Sequence, residues 1–330
     1  MKKIKLLALL VLCASLFSAF KNDRKLHIFM IGDSTMANKD VSGGKVERGW
    51  GMMLRNFFSD DVVVDNHALN GRSSKSFISE GHWNEVINQV MPGDYVFIQF
   101  GHNDEKKDTA RHTEPGSTFD ENLRKFVHET RLKGGIPVLF NSVVRRNFAN
   151  SQTAVEDDDK HDNSSKQLVE GDTLVDTHGA YLISPRNVAK EMDVPFIDAN
   201  KITHELEQGL GPEGSKGLHV WYKPGEVPSL PEGRQDNTHY NIYGAYTVAG
   251  LLADAVAMEI PALKKYIHHY DMVVAKDGSG LYSDVQEAVD NAPMEKETTI
   301  LVCSGEWKKP VIPKGKIIKF VMRAGAIWVK

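Results

Sequence analysis

The chain has 330 residues, enough for one large domain with a smaller unit beside it, or for two modest domains. Its 41% hydrophobic and 25% charged residues are typical of a globular protein. A formal net charge of −4 disfavours a nucleic-acid-binding protein, because such proteins usually carry a basic surface.

Residues 1–20 have the three parts of a signal peptide. A basic stretch at 1–5 precedes an apolar run at 6–17, and small residues at 18–19 offer a cleavage site. The apolar run is too short to predict a membrane span. We therefore expect export to a periplasm or beyond. Removal of this segment would leave Cys303 as the single cysteine, so neither an internal disulfide nor a cysteine metal site is expected.

Between residues 21 and 260, apolar and β-branched runs alternate with helical patterns. The predicted strands are 26–31, 62–65, 95–100, 137–143 and 195–197. The predicted helices are 51–58, 77–90, 118–132, 180–191, 202–210 and 240–258. This alternation predicts a three-layer α/β/α sandwich around a five-stranded parallel sheet. Two long connections, 145–179 and 211–235, are either solvated loops or the walls of a substrate groove.

The first strand ends in the motif Gly32-Asp33-Ser34. A glycine lets the backbone turn sharply, and the turn would place the Ser34 hydroxyl at the carboxyl edge of the sheet, where open α/β sheets bind ligands. Alone, the motif could equally be an ordinary turn.

A base for Ser34 can come from the segment Asp236-Asn237-Thr238-His239. At this spacing Asp236 can hold the Nδ1–H of His239 and leave Nε2 directed toward the serine. The alternative is that Asp236 or Asn237 caps the helix predicted after it.

An acyl-transfer enzyme must also stabilise an oxyanion. The candidate donors are the backbone N–H groups of Ser34 and Gly71 and the side-chain amide of Asn103. Gly71 follows the second strand and Asn103 the third, so all three would meet at one edge of the sheet. A turn glycine and an asparagine that closes its own turn are the alternatives.

Together these segments resemble the SGNH (GDSL-type) hydrolase superfamily over residues 26–258, and most closely the rhamnogalacturonan acetylesterases. The segments that carry the likeness are 32–35, 70–73, 101–104, 144–148 and 236–239. The resemblance implies a flavodoxin-like sandwich that hydrolyses acetyl esters on galacturonic acid units of pectin, without a metal or organic cofactor. It implies that Ser34 is the nucleophile, His239 the base and Asp236 its partner, with Ser34, Gly71 and Asn103 forming the oxyanion hole.

A galacturonate carboxylate suits an arginine fork, and Arg72, Arg145 and Arg146 are the candidates. Each could also be an ordinary surface arginine. Trp221 could stack on a sugar face, whereas Trp50 is expected in the core.

Other polar residues near these motifs are expected to have supporting contacts only. Asp33, His102 and Asp104 should hydrogen-bond within their loops. His161, His178 and His219 are expected to contact only solvent or loops.

After a predicted linker at 261–270, residues 271–330 resemble the opening of a pectin methylesterase, a right-handed parallel β-helix. Only about one coil is present, and none of that family's catalytic residues can be assigned. One coil cannot bury its own apolar face, so we expect a loosely packed, catalytically silent remnant.

These observations predict an exported, monomeric esterase whose partner is an acetylated pectic polysaccharide or oligosaccharide. One alternative is the same chemistry on acetylated xylan or another glycan. Another is an inactive pectin-binding protein that keeps the fold.

Overall fold

A computed structural model describes residues 24–149 and 171–330, and the predicted signal peptide lies outside the described residues, as does His161. The strands, in chain order, are β1 Leu26–Gly32, β2 Glu47–Arg48, β3 Val62–Asn66, β4 Tyr95–Gln99, β5 Ile136–Phe140, β6 Phe148–Ala149, β7 Thr173–Leu174, β8 Phe196–Ile197, β9 His219–Tyr222, β10 Arg234–Asn241, β11 Met272–Val274, β12 Glu297–Val302, β13 Gly305–Lys308, β14 Ile317–Met322 and β15 Ala326–Val329. The α-helices are α1 Trp50–Leu54, α2 Ser74–Ser79, α3 His82–Ile87, α4 Thr118–Leu132, α5 Ile183–Met192, α6 Ala199–Gly214, α7 Ile242–Glu259, α8 Pro261–Lys264 and α9 Val285–Asn291.

The central sheet has five parallel strands in the order β3-β1-β4-β5-β8. Alternate side chains of β1 enter different cores, because successive strand residues point to opposite faces. Ile28 and Met30 pack in the core that includes α7, whereas Phe29 and Ile31 pack in the core that includes α4. The predicted three-layer α/β/α sandwich is thus confirmed.

Helix α4 has the predicted bounds, but the helix predicted at 77–90 is divided into α2 and α3. Gly81 lies between them with φ of 87°, a left-handed conformation that glycine adopts without strain. The predicted helix at 202–210 begins earlier, at Ala199, because the Asp198 side chain accepts a hydrogen bond from the Lys201 N–H and caps it.

A second, antiparallel sheet of β2, β10 and β9 stands beside the central one. Strand β10 runs from Arg234 to Asn241 and leads directly into α7, whose first turn is capped by the Asn241 side chain. The segment predicted as a long loop at 211–235 therefore contains β9 and the start of β10. These strands hold 236–239 against the sandwich.

Residues 261–270, predicted as a linker, pack against the sandwich. Helix α8 lies within them, and its Leu263 is fully buried in the core that includes α7. Ile267 forms a bridge with Phe58, and the His268 N–H donates to the Phe57 carbonyl at 2.8 Å. This segment is therefore continuous with the sandwich.

Residues 271–330 form two short parallel layers, β11-β12-β14 and β13-β15, beside α9. They also contact the sandwich: the buried Asn56 side chain donates to the Ser279 carbonyl at 2.6 Å and accepts from Cys303 Sγ at 3.4 Å. Arg323 forms an ion pair with Asp60 at 3.0 Å. The expectation of a loosely packed remnant is wrong, because polar side chains of the sandwich hydrogen-bond to backbone groups of residues 271–330.

We expect Leu263→Ala to lower the free energy of unfolding by about 2–5 kcal/mol, because it leaves a cavity in the core of the sandwich. Chemical denaturation followed by fluorescence measures the change. The matched control is Lys264→Ala, at the exposed neighbouring position. Equal stability of both variants would show that 261–270 is a linker after all.

In the part of the chain that the structure describes, we find no helix with both the length and the apolar character needed to cross a membrane.

Candidate active site

Ser34 lies in the turn that follows β1, and its side chain is partly exposed. Gly32, the last residue of β1, is required by the close approach of β4 rather than by a left-handed turn, since a Cβ there would lie 2.7 Å from the Gln99 carbonyl oxygen. Asp33 stabilises the turn: its Oδ1 accepts from the Thr35 N–H at 2.9 Å and the Thr35 hydroxyl at 2.8 Å. Asp33 is therefore a loop partner, as expected from the sequence.

The structure brings Ser34, His239 and Asp236 into one hydrogen-bonded chain. The Ser34 hydroxyl lies 2.9 Å from His239 Nε2, and His239 Nδ1 lies 2.9 Å from Asp236 Oδ2. The other oxygen of Asp236 accepts the N–H groups of Thr238 and His239, both at 2.8 Å. Asp236 does not cap α7, because Asn241 does. In this arrangement His239 can remove the proton from Ser34 as the oxygen attacks an ester.

Asp236 remains a carboxylate although it is nearly buried. Burial acts to raise its pKa, but the positive charge and hydrogen bond of His239, together with Arg234, outweigh burial and lower the pKa well below its usual range. A permanently charged Asp236 can hold the imidazolium that forms during proton transfer.

The predicted oxyanion donors follow β1, β3 and β4. Gly71 has φ of 73°, and the N–H groups of Ser34 and Gly71 donate no hydrogen bond to another described residue. The Asn103 amide donates one hydrogen to the Arg72 carbonyl at 3.1 Å, and its Oδ1 accepts from Arg111 at 3.4 Å. These contacts fix the amide's orientation, with its nitrogen as the donor and one N–H still available for an oxyanion.

Next to Asn103, the structure contains a buried pair of loop histidines, His102 and His178. His178 has no exposed side-chain area: its Nδ1 lies 2.9 Å from Asp176, and its Nε2 lies 2.9 Å from His102 Nδ1. Burial, reinforced by neighbouring positive groups, lowers the pKa of His102 well below its usual value, so this ring is neutral. His219 is likewise fully buried and contacts Glu207 at 2.9 Å. His178 therefore contacts loop residues, as expected, whereas His219 contacts a residue of helix α6, which the sequence did not predict.

Asp104, expected to be a loop partner, joins two loops. It accepts from the Ser74 N–H at 3.1 Å and from the Thr113 hydroxyl at 3.0 Å, and it also contacts the Gly101 N–H.

Arg145 and Arg146 do not present the arrangement expected of substrate ligands. Both are buried, with 5% and 1% of their area exposed. Arg145 forms an ion pair with Glu105 and donates to Thr177, while Arg146 donates to the Asn237 side chain at 3.1 Å. Their guanidiniums connect loops around the site, because charges this deep require internal partners.

Arg72 and Trp221 remain candidates for substrate binding, and their side-chain contacts differ. The Arg72 side chain is 40% exposed, next to Gly71, and pairs with Glu80 at 2.9 Å. Trp221 is half-buried, donates to the Asn237 side chain at 3.0 Å, and has the Arg146 guanidinium 4.7 Å from its ring centroid. A surface ion pair such as that of Arg72 can exchange for a substrate carboxylate at little cost. Trp50, as expected, is in the core.

Two charged residues that sequence reasoning missed, Arg234 and Glu47, lie against the triad. Arg234 forms ion pairs with Asp236 and, at 2.8 Å, with Glu47, whose other oxygen pairs with Lys39 at 2.7 Å. The sequence carried one signal for Arg234, because it is two residues from Asp236 and residues at this spacing lie on the same face of a strand. Glu47 lies far from both in the sequence, so no such signal pointed to it.

Ligand atoms of Glu47, Asp236 and His239 lie within 4.8 Å of one another, a spacing that could suit a metal ion. The residues do not fit one, because Lys39 and Arg234 already pair with both Glu47 oxygens, and Arg234 also pairs with Asp236. A cation added there would meet two positive side chains.

Comparison with known proteins identifies the family to which this chain is similar. The sequence profile of the family described as GDSL-like Lipase/Acylhydrolase matches residues 28–252. Rhamnogalacturonan acetylesterase RhgT of Bacillus subtilis (strain 168) is 37% identical over 233 residues, which make up 71% of this chain and 90% of that protein. A rhamnogalacturonan acetylesterase of Emericella nidulans is 26% identical over 254 residues, covering 74% of this chain and 90% of that one.

Among solved structures, protein YxiM of Bacillus subtilis matches with a TM-score of 0.54 at 23% identity, covering 72% of this chain and 58% of that chain. This likeness concerns the fold. The profile match across most of the sandwich, together with relatives of this identity and coverage, shows that the chain belongs to the GDSL-like lipase/acylhydrolase family and is a carboxylic-ester hydrolase.

Proposed function

We propose that this protein is an exported carbohydrate esterase that removes acetyl groups from galacturonic acid units of rhamnogalacturonan. The observation that carries the chemistry is the hydrogen-bonded chain from Ser34 through His239 to Asp236, with 2.9 Å at each of its two steps. The substrate class is supported by two relatives named rhamnogalacturonan acetylesterases, which this chain matches over 90% of their length.

The reaction proceeds through an acetyl-enzyme. Ser34 Oγ attacks the acetyl carbonyl while His239 Nε2 takes the hydroxyl proton, and Gly71, Asn103 and the Ser34 N–H stabilise the oxyanion. His239 then gives the proton to the departing sugar oxygen. In the second half, His239 takes a proton from water, the resulting hydroxide attacks the acetyl-enzyme, and acetate leaves as Ser34 regains its proton.

Arg72 is the substrate residue that we assign. It lies beside the oxyanion donor Gly71, is 40% exposed, and can exchange its Glu80 partner for a galacturonate carboxylate. Neutral xylan offers no such carboxylate in its backbone, so Arg72 favours a pectic substrate.

The test is acetate release by the wild-type protein and by Ser34→Ala from acetylated rhamnogalacturonan and acetylated xylan. We expect release from the pectic substrate, lost in the variant. Acetate release from xylan alone would still support the triad but would refute the assignment of Arg72 to substrate binding. Binding without hydrolysis would identify an inactive pectin-binding protein, and full activity of Ser34→Ala would refute the triad.

We also propose that residues 271–330 correspond to the first coils of a pectin-methylesterase-like β-helix. The in-register parallel pairs of β11 with β12 and of β12 with β14 support this, because stacked coils of a solenoid pair in this way. The tail would contribute no catalytic residue, only its contacts with the sandwich.

A further inference from the structure

Four side chains of alternating charge form a row behind the catalytic histidine. Lys39 pairs with Glu47 at 2.7 Å, Glu47 pairs with Arg234 at 2.8 Å, and Arg234 pairs with Asp236. The row is partly or largely shielded, since the side-chain exposures are 5% for Lys39, 22% for Glu47, 30% for Arg234 and 10% for Asp236. Shielding makes these pairs stronger than ion pairs on an open surface.

The backbone explains how this row is assembled. Arg234 and Asp236 are two residues apart on β10, so their side chains lie on one face of the strand. Strand β2 pairs with the other end of β10, with Glu47 opposite Asn241. The pairing register of β10 shifts between Gln235 and Tyr240, an irregularity over the segment that contains Asp236 and His239. The irregularity lies between Arg234 and the residues of β10 that pair with β2, and Glu47 contacts Arg234 across it.

Arg234 and His239 approach the same oxygen of Asp236. Oδ2 accepts from His239 Nδ1 at 2.9 Å and from Arg234, while Oδ1 accepts two backbone N–H groups. All four hydrogen bonds together prevent rotation of the carboxylate. Loss of Arg234 would leave Oδ2 with a single partner.

We propose that Arg234 and Glu47 are positioning residues of the esterase. Arg234 holds the Asp236 carboxylate in line with His239, and Glu47 holds Arg234 while partly offsetting its positive charge at the imidazole. This inference rests on the proposed role of the triad and adds two residues that act through Asp236 rather than touching the substrate.

Arg234 and Glu47 carry opposite charges, so their removal should shift the pH dependence of activity in opposite directions. The charged and titratable groups facing His239 are Asp236 and Arg234 on its own strand, Glu47 on β2, Asp33 after β1 and His102 after β4. Burial acts to raise the pKa of Glu47, but His239, Lys39 and Arg234 outweigh it and lower the pKa to about 2. Glu47 is therefore negative throughout the working range and favours an imidazolium, whereas Arg234 disfavours one.

The experiment measures kcat and KM for p-nitrophenyl acetate as a function of pH in the full chain. Arg234→Gln should move the acidic limb of kcat/KM to higher pH by about half a unit or more, because an imidazolium there loses a positive neighbour. Glu47→Gln should move the same limb to lower pH. Both should lower kcat more than they raise KM, and Arg234→Lys should restore the limb toward the wild-type position.

The matched controls are Arg124→Gln and Glu191→Gln, which break an exposed pair of 2.8 Å between α4 and α5 and should leave the limb in place. If Arg234→Gln and Glu47→Gln lower thermal stability but leave the limb unmoved, or move it in the same direction, the proposal fails. Ser34→Ala is assayed in parallel: if that variant keeps its activity, the proposed triad fails, which is a distinct outcome.

Discussion

Replacing His239 with alanine should lower kcat for acetyl-ester hydrolysis by about 10⁴- to 10⁶-fold. Among residues 24–149 and 171–330, no other base lies within hydrogen-bonding distance of the Ser34 hydroxyl. The double variant Ser34→Ala/His239→Ala should lose no more than either single variant. Triad members act as one unit, so once either is missing the other contributes almost nothing.

Steady-state acetate release measures these effects. His128→Ala, at an exposed position on α4, is the control for loss of a histidine and should keep wild-type kcat. Additive losses in the double variant would mean that Ser34 and His239 act in separate steps, and the proton transfer derived above would be incorrect.

The second large effect concerns Asn103. Asn103→Ala should lower kcat by about 10²- to 10³-fold with little change in KM, because the amide stabilises the oxyanion rather than the bound ester. This loss corresponds to about 3–4 kcal/mol of transition-state stabilisation. The orientation of the amide is already fixed by the Arg72 carbonyl and Arg111, so no rearrangement is required when charge develops.

Asn88→Ala, an exposed asparagine after α3, serves as the control. A variant at Asn103 that raises KM and leaves kcat unchanged would place its side chain in substrate binding. In that case Gly71 and Ser34 alone would supply the oxyanion donors.

The central fold was predictable because its signals are local. The strands of the parallel sheet are short and mostly apolar. The central strand β4 is buried at every position, so its continuous apolar run is enough to predict it. The predicted helix boundaries were wrong where a single residue determines them. Gly81 divides one helix into two although the apolar pattern is continuous, and the Asp198 side chain makes α6 begin before its apolar pattern does.

The site was predictable to the extent that its residues lie in short motifs. Asp236 and His239 are three residues apart, and Ser34 lies at a strand end, so spacing alone suggests their meeting. Arg145 and Arg146 follow a strand in the same way, but their internal partners at Glu105 and Asn237 are distant in sequence. No local pattern tells a buried arginine from an exposed one.

Glu47 is the opposite case: it lies at the site, but nothing in the nearby sequence indicates this. It is a single acidic residue on a two-residue strand, separated from Arg234 by 187 positions. Only the pairing of β2 with β10 brings these two residues together. Networks of charge between distant strands are therefore recovered from three-dimensional structure, not from periodicity.

The hydrogen bond between Cys303 and Asn56 has a chemical consequence for the export that we propose. Burial raises the pKa of the Cys303 thiol to about 11, so the reactive thiolate form is scarce. An oxidising compartment, the destination that we propose, would convert an exposed lone thiol to mixed disulfides or oxyacids. Because residues 271–330 pack against the sandwich, the Cys303 thiol is buried and protected from this oxidation.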